Sequence, residues 1–83
     1  MKKTKVVYKK ISHRVKGRRL SGYIEEGGST IFIEERDNQR VQLGTLIHER
    51  LHQLLPDASE TEILRLERAL ARLVWDQGYR RPN

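Results

Sequence analysis

The stretch LIHERLHQLLPDASETEI, residues 46–63, predicts the end of one helix, a turn and the start of a second helix. Pro56 ends the first helix, because proline lacks a backbone N–H and its ring clashes with the preceding turn. Ser59, with Glu62 three positions later, has the pattern of a capping box that begins a new helix. A connection this short predicts that the two helices pack antiparallel.

Apolar residues on both sides of this turn repeat with the 3.6-residue period of a helix. The first helix is expected from about Val41, and Gly78 is expected to close the second. The predicted buried stripe of the first helix is Leu43, Ile47, Leu51, Leu54 and Leu55. The predicted stripe of the second is Ile63, Leu66, Leu70, Leu73 and Val74.

The residues before the helices predict β-structure. Residues 20–26 and 29–34 read as strands, and Gly27-Gly28 between them favours a β-hairpin. Residues 5–10 are compatible with a first strand, whereas residues 11–19 are basic and turn-like. The expected fold class is therefore α+β: a small antiparallel hairpin or three-stranded sheet followed by an antiparallel helix pair.

Length and composition narrow the classes of protein. A chain of 83 residues allows one domain, and the absence of cysteine excludes disulfides and thiolate zinc sites. No apolar run approaches the roughly 18–20 residues that span a bilayer. The basic start, Met1-Lys2-Lys3, is not followed by the apolar stretch of a signal peptide. A soluble cytoplasmic protein is expected.

Charge is distributed unevenly along the chain. Residues 1–19 hold nine of the seventeen Lys and Arg and no acid, whereas residues 20–83 hold eight Arg against eleven acids. The basic segment 1–19 is interpreted either as an arm that contacts nucleic-acid phosphates or as a solvated tail and lysine-protected strand edge. Its single aromatic residue, Tyr8, favours the second interpretation, because single-stranded bases need rings on which to stack.

The first predicted helix carries the pattern His48-Glu49-Arg50-Leu51-His52. Two histidines four positions apart lie one turn apart on the same side of a helix, where their imidazoles can bind one zinc ion. The carboxylate of Glu49 is then placed to act as general base toward a water molecule that the metal activates. The pattern predicts a zinc site with His48 and His52 as ligands and Glu49 as the catalytic residue. His13 is interpreted as a plain surface residue.

Catalytic zinc sites usually have three protein ligands, so a third is expected. If the helices pack antiparallel about the turn, Glu60 lies level with the two histidines. Glu67 interrupts the apolar stripe of the second helix, but it lies seven residues beyond Glu60, about 10 Å along the helix. Glu60 is the first choice as ligand and Glu67 the second.

The residues also carry a resemblance to a family. The segments 46–52, 56–60, 74–75 and 78–80, together with 20–23 and 31–33, resemble short phage and prophage proteins similar to minimal zincin-type metallopeptidases of the HExxH class. The resemblance covers roughly residues 20–80, so residues 20–83 are taken as a minimal zincin-like domain. It implies His48 and His52 as ligands, Glu49 as base and Glu60 as third ligand.

The function expected from the sequence is a zinc-dependent hydrolase, a minimal metallopeptidase with one zinc per chain. The strand at Ile31-Phe32-Ile33 would lie beside the cleft and pair with an extended peptide. An alternative is a small metal-stabilised module, without catalytic activity, that binds nucleic acid or protein. A third is a phage protein that inhibits or redirects a host enzyme by surface contact.

Overall fold

The computed structural model describes residues 3–25 and 27–82, where five strands precede two helices. The elements are β1 (Lys5–Lys9), β2 (Arg14–Val15), β3 (Arg18–Arg19), β4 (Gly22–Ile24), β5 (Thr30–Glu34), α1 (Gln39–Leu54) and α2 (Glu60–Asp76). One sheet has the order β1–β5–β4, and β2 and β3 form a separate hairpin. The expected α+β class is confirmed. Within the described residues no helix is both long and apolar enough to cross a membrane.

Strand β5 is the centre of the sheet, and Ile31 and Ile33 on it are fully buried. It forms the predicted antiparallel hairpin with β4. Gly27 and Gly28 in the turn both have positive φ, which glycine adopts without steric cost. On its other side β5 pairs with β1 in parallel. The sheet is therefore mixed rather than antiparallel, because the twenty residues between β1 and β5 leave their relative direction free.

The basic segment divides into two structural parts. Lys5–Lys9 is a hydrogen-bonded edge strand and not a solvated tail, so the lysine-protected strand edge is the interpretation that fits it. Ile11, placed in a turn-like region by the sequence, is buried in the core. The β2–β3 hairpin that follows is exposed along its whole length.

The helices begin at the caps that their sequences provide. The Asn38 side chain accepts a hydrogen bond from the Val41 backbone N–H at 3.0 Å, so α1 starts two residues earlier than expected. Ser59 caps α2 as predicted, with its hydroxyl accepting from the Glu62 N–H at 3.1 Å. Helix α1 packs on β4 and β5, and α2 packs antiparallel on α1.

The predicted apolar stripes are only partly buried. Ile63 on α2 is fully buried, but Leu70 and Leu73 are 43% and 60% exposed. They stay exposed because α2 contacts α1 but, among the described residues, no strand of the sheet. Leu54 and Leu55 are also exposed, since they lie where α1 gives way to the turn. The buried apolar core is therefore small: Ile11, Ile31, Ile33, Leu51 and Ile63.

Candidate metal centre

The two histidines of α1 present the same ring nitrogen to the same point. His48 and His52 lie one turn apart, with their side chains 19% and 31% exposed. Their Nε2 atoms are 3.2 Å apart, and the rings meet edge to face with centroids at 4.8 Å. The predicted pairing of these residues on one side of a helix is therefore present in the fold.

Glu60, in the first turn of α2, reaches both histidines. Its Oε1 lies 2.8 Å from Nε2 of His48, and its Oε2 lies 3.1 Å from Nε2 of His52. The antiparallel packing of the helices places the three residues level, as the length of the turn suggested. His48, His52 and Glu60 are named here the His48 cluster.

When His48 and His52 are neutral, protons are too few for the contacts within the His48 cluster. Nδ1 of His48 lies 2.7 Å from Oε1 of Glu67, and a carboxylate only accepts hydrogen bonds, so Nδ1 carries the ring proton of a neutral His48. Nε2 of His48 is then a lone pair. Only His52 can supply a proton to the three contacts that join the two Nε2 atoms and the Glu60 carboxylate. A cation among these atoms would satisfy all three contacts at once.

The distances suit a small divalent ion. Zinc binds histidine nitrogen and carboxylate oxygen at about 2.0–2.1 Å, so the ligand atoms of a tetrahedral site stand roughly 3.3 Å apart. The Nε2 atoms of His48 and His52 stand 3.2 Å apart, close to that value, and each lies near a different oxygen of Glu60, at 2.8 and 3.1 Å. With one ligand atom from each of the three residues, all three atoms lie within 4.8 Å of one another. Two imidazole nitrogens and one carboxylate oxygen are common ligands of zinc in proteins. The residues therefore fit the metal that the sequence predicts.

Glu67 contacts the group from the opposite side. It holds the far nitrogen of His48, so it does not belong to the three convergent donors. The His48 ring lies between Glu60 and Glu67, which are about two helical turns apart, and one carboxylate meets each of its nitrogens. Gly44 makes room for this arrangement, because a Cβ there would lie 3.1 Å from Oε2 of Glu67. A carboxylate on the second nitrogen of a metal-binding histidine fixes its tautomer and ring orientation. The carboxylate that interrupts the apolar stripe of α2 was the available signal, but the sequence did not show which nitrogen it would meet.

Glu49 lies beside the cluster without belonging to it. The carboxylate has no hydrogen-bond or ion-pair partner within residues 3–25 and 27–82, and it is partly buried. Burial raises the pKa of Glu49, while the neighbouring His48 and His52 lower it. An unpaired carboxyl group with a raised pKa is suited to accepting a proton.

An open cleft of about 800 Å³ runs between β4, α1 and α2. His48, Glu49 and Glu67 line it. Three arginines also line it: Arg40, Arg68 and Arg72. All three are exposed.

The strand beside this cleft is β4 and not the one expected. The segment Ile31-Phe32-Ile33 belongs to β5, which has a neighbour on each side and no edge free for a peptide. In the β4–β5 register the backbone groups of Ser21, Tyr23 and Glu25 face β5, so those of Gly22 and Ile24 face outward. The available edge therefore belongs to β4.

Strand β4 lies directly on α1, one turn before His48. A side chain at Gly22 would collide with Thr45, so glycine allows this close approach. Ser21 and Gly22 line the cleft with His48 and Glu49. The open strand edge and the His48 cluster are thus held against each other by one helix.

No protein-family model, curated protein or solved structure matches this chain. The resemblance to short phage zincins stays a prediction carried by the residues alone. His13 is exposed and lies outside the His48 cluster.

Proposed function

We propose that the chain is a zinc-dependent hydrolase, a minimal metallopeptidase that holds one zinc ion through His48, His52 and Glu60. The supporting observation is the convergence of two Nε2 atoms and one carboxylate at 2.8–3.2 Å, which neutral histidines can join with at most one proton. Three protein ligands leave a fourth tetrahedral position for water or substrate, which is the pattern of catalytic zinc.

Glu49 is the proposed general base. Zinc, when bound, would polarise a carbonyl group and acidify a water molecule. Glu49 would accept the proton of the attacking water and deliver it to the departing amine nitrogen. Its unpaired, partly buried carboxylate and the raised pKa support this role.

The cleft suggests which peptides to test. An extended peptide can add to the open edge of β4 through the backbone groups of Gly22 and Ile24. Arg40 and Arg68 line the cleft without an acidic partner among the described residues, whereas Arg72 pairs with Asp76 at 3.7 Å. The two unpaired arginines favour acidic side chains in a bound peptide. A peptide library weighted toward Asp and Glu is therefore the first substrate set.

The deciding variant is Glu49→Gln, which keeps the size of the side chain and removes the base. We expect it to keep its zinc and to lose about 10²–10⁴-fold in turnover of a peptide that the wild type cleaves. Glu62→Gln, an exposed carboxylate in the first turn of α2, is the matched control and should leave turnover unchanged. Equal turnover in Glu49→Gln and wild type would reject Glu49 as the base. Loss of zinc from the Glu49→Gln variant would indicate that Glu49 is a metal ligand and not the base.

A second candidate function is a metal-stabilised binding module without catalysis. The exposed charge of the β2–β3 hairpin favours it, because Arg14, Lys16 and Arg18 have no acidic partner within residues 3–25 and 27–82. A structural zinc site is closed by four protein ligands, whereas a catalytic site keeps one position open. In the cobalt-substituted protein, an open position would exchange its water for an added hydroxamate and the visible absorption would shift, whereas a site closed by four protein ligands would leave the spectrum unchanged. This titration separates the two functions.

A further inference from the structure

The β2–β3 hairpin concentrates positive charge, most of which is not paired with acidic residues of the rest of the described fold. Residues 12–19, named here the basic ribbon, are exposed at every position. They hold Arg14, Lys16, Arg18 and Arg19 and no acidic residue. The ribbon lies outside the His48 cluster, so its role is a separate question.

The ribbon is a defined structure with a tight turn. Lys16 and Gly17 both have positive φ, at 53° and 77°, the pattern of a two-residue type I′ hairpin. The Arg14 guanidinium donates to the Gly17 carbonyl at 3.1 Å, and the Leu20 N–H donates to the His13 carbonyl at the base. The charges are therefore presented on an ordered two-stranded scaffold.

The cross-strand pairing places like charges opposite each other. Arg14 pairs with Arg19, an arrangement that destabilises a strand pair unless an anion compensates it. Arg19 is compensated, by Asp37 at 3.1 Å and Glu34 at 3.6 Å. Arg14, Lys16 and Arg18 have no acidic partner within residues 3–25 and 27–82. Their charges do not stabilise the fold and remain available to an external anion.

The shape and composition of the ribbon favour one polyanion. Binding of single strands relies on aromatic rings, and the ribbon has none. The nearest aromatics in sequence are Tyr8 and Tyr23, each four positions from the ribbon. The Arg81 guanidinium covers Tyr8 at 3.9 Å from its ring centre, and Tyr23 stacks on Phe32 with ring centroids 4.9 Å apart. The B-DNA major groove, about 12 Å wide, admits a two-stranded ribbon, whereas that of duplex RNA is deep and narrow. We propose that the basic ribbon binds duplex DNA through its phosphates, without sequence preference.

The test is the salt dependence of binding. The full chain is titrated against a fluorescein-labelled duplex of random sequence at several salt concentrations, and anisotropy gives the Kd. Each phosphate contact adds about 0.9 to the slope of log Kd against log salt. Replacing Arg14, Lys16 and Arg18 together by alanine should weaken binding at low salt and lower the slope by about 3. Circular dichroism and melting temperature check that the variant is folded.

A charge-matched triple outside the ribbon and outside the cleft is the control. Lys3→Ala, Lys5→Ala and Arg65→Ala together remove the same net charge from other exposed surfaces and should leave the slope nearly unchanged. An equal loss in both triples would reduce the effect to net charge and overturn the proposal. Tighter binding to single-stranded DNA, duplex RNA or phosphatidylserine vesicles than to duplex DNA would also overturn it. His48→Ala should bind DNA as the wild type does, so this proposal and the proposed peptidase fail or succeed separately.

Discussion

Two carboxylates of this protein have opposite surroundings. Glu34 is fully buried, and its two oxygens accept four hydrogen bonds: from the backbone N–H of Ile11 and Arg36 at 2.8 and 2.7 Å, and from the Arg36 guanidinium at 2.6 and 2.9 Å. Hydrogen bonds from the Arg36 side chain hold the pKa of Glu34 well below its usual range, although burial opposes the shift. Glu34, Arg36 and Ile11 form a cluster in which charge and hydrogen bonds are complete.

The carboxylate of the His48 cluster, in contrast, has few hydrogen-bond donors around it. Glu60 is 60% exposed, and its oxygens face two imidazole nitrogens that share at most one proton when His48 is neutral. A buried carboxylate with enough donors joins elements of the fold, as Glu34 joins β5 to the chain after β1. A carboxylate that faces two imidazole lone pairs could bind a cation together with them. The same residue type is thus structural in one place and metal-binding, as we propose, in the other.

The largest effect expected is on metal content. His48→Ala and His52→Ala should each reduce bound zinc from about one per chain to near zero, because each removes one of three converging donors. Elemental analysis after dialysis against a weak chelator measures this. Glu62→Gln should retain wild-type zinc. A wild-type zinc content in both histidine variants would show that the His48 cluster is not the metal site.

Removing the metal should lower stability. The ion would join α1 to α2, so its binding energy adds to the folding energy of a protein with a small core. At free zinc 100-fold above the Kd, binding contributes about 2.7 kcal/mol. For a domain of this size that corresponds to a melting temperature lower by roughly 10–20 °C after chelation. His48→Ala should show no such change with chelator. A wild-type protein that contains zinc and melts equally with and without chelator would contradict the prediction.

Glu67 should affect the affinity for metal without being a ligand. Glu67→Gln removes the carboxylate that accepts from Nδ1 of His48, and such losses typically cost 10–100-fold in metal affinity. Gly44→Ala should act in the same direction and more weakly, because its Cβ would press on Glu67. Competition with a fluorescent zinc chelator measures both. Stoichiometric zinc should persist in each at high metal concentration, and its loss would make Glu67 a ligand.

Low pH should lower the stability of the fold through protonation of Glu34. The pKa of Glu34 is lower in the folded than in the unfolded chain, so its contribution to stability is present above the ordinary value of 4.5. That contribution is lost progressively as the pH falls below 4.5. Melting temperatures of metal-free protein from pH 7 to 3 should fall less steeply in Glu34→Gln, which starts from a lower stability. Parallel curves for the two proteins would show that Glu34 is not the titrating group.

Local signals in the sequence were sufficient to predict the helices and the β4–β5 hairpin, and to predict which three residues converge in the His48 cluster. Pro56, Ser59 and the glycine pair at 27–28 act on their immediate neighbours, so the helix turn, the α2 cap and the β4–β5 hairpin were predicted from residue type alone. The spacing of His48 and His52 fixes their common side, because helical geometry relates positions four apart. The short turn then brings Glu60 level with both.

Tertiary packing determined the strand order, the exposure of α2 and the contacts between the helices, all of which depend on residues far apart in the chain. The position of β5 between β1 and β4 closed the edge expected at Ile31-Phe32-Ile33, and strand order is not encoded in the pattern of a single strand. Leu70 and Leu73 are exposed because α2 packs on one helix and not on the sheet. The contact of Glu67 with Nδ1 of His48 depends on the separation of two helices. Sequence periodicity gives the face of an element, and only packing gives the neighbour that the face meets.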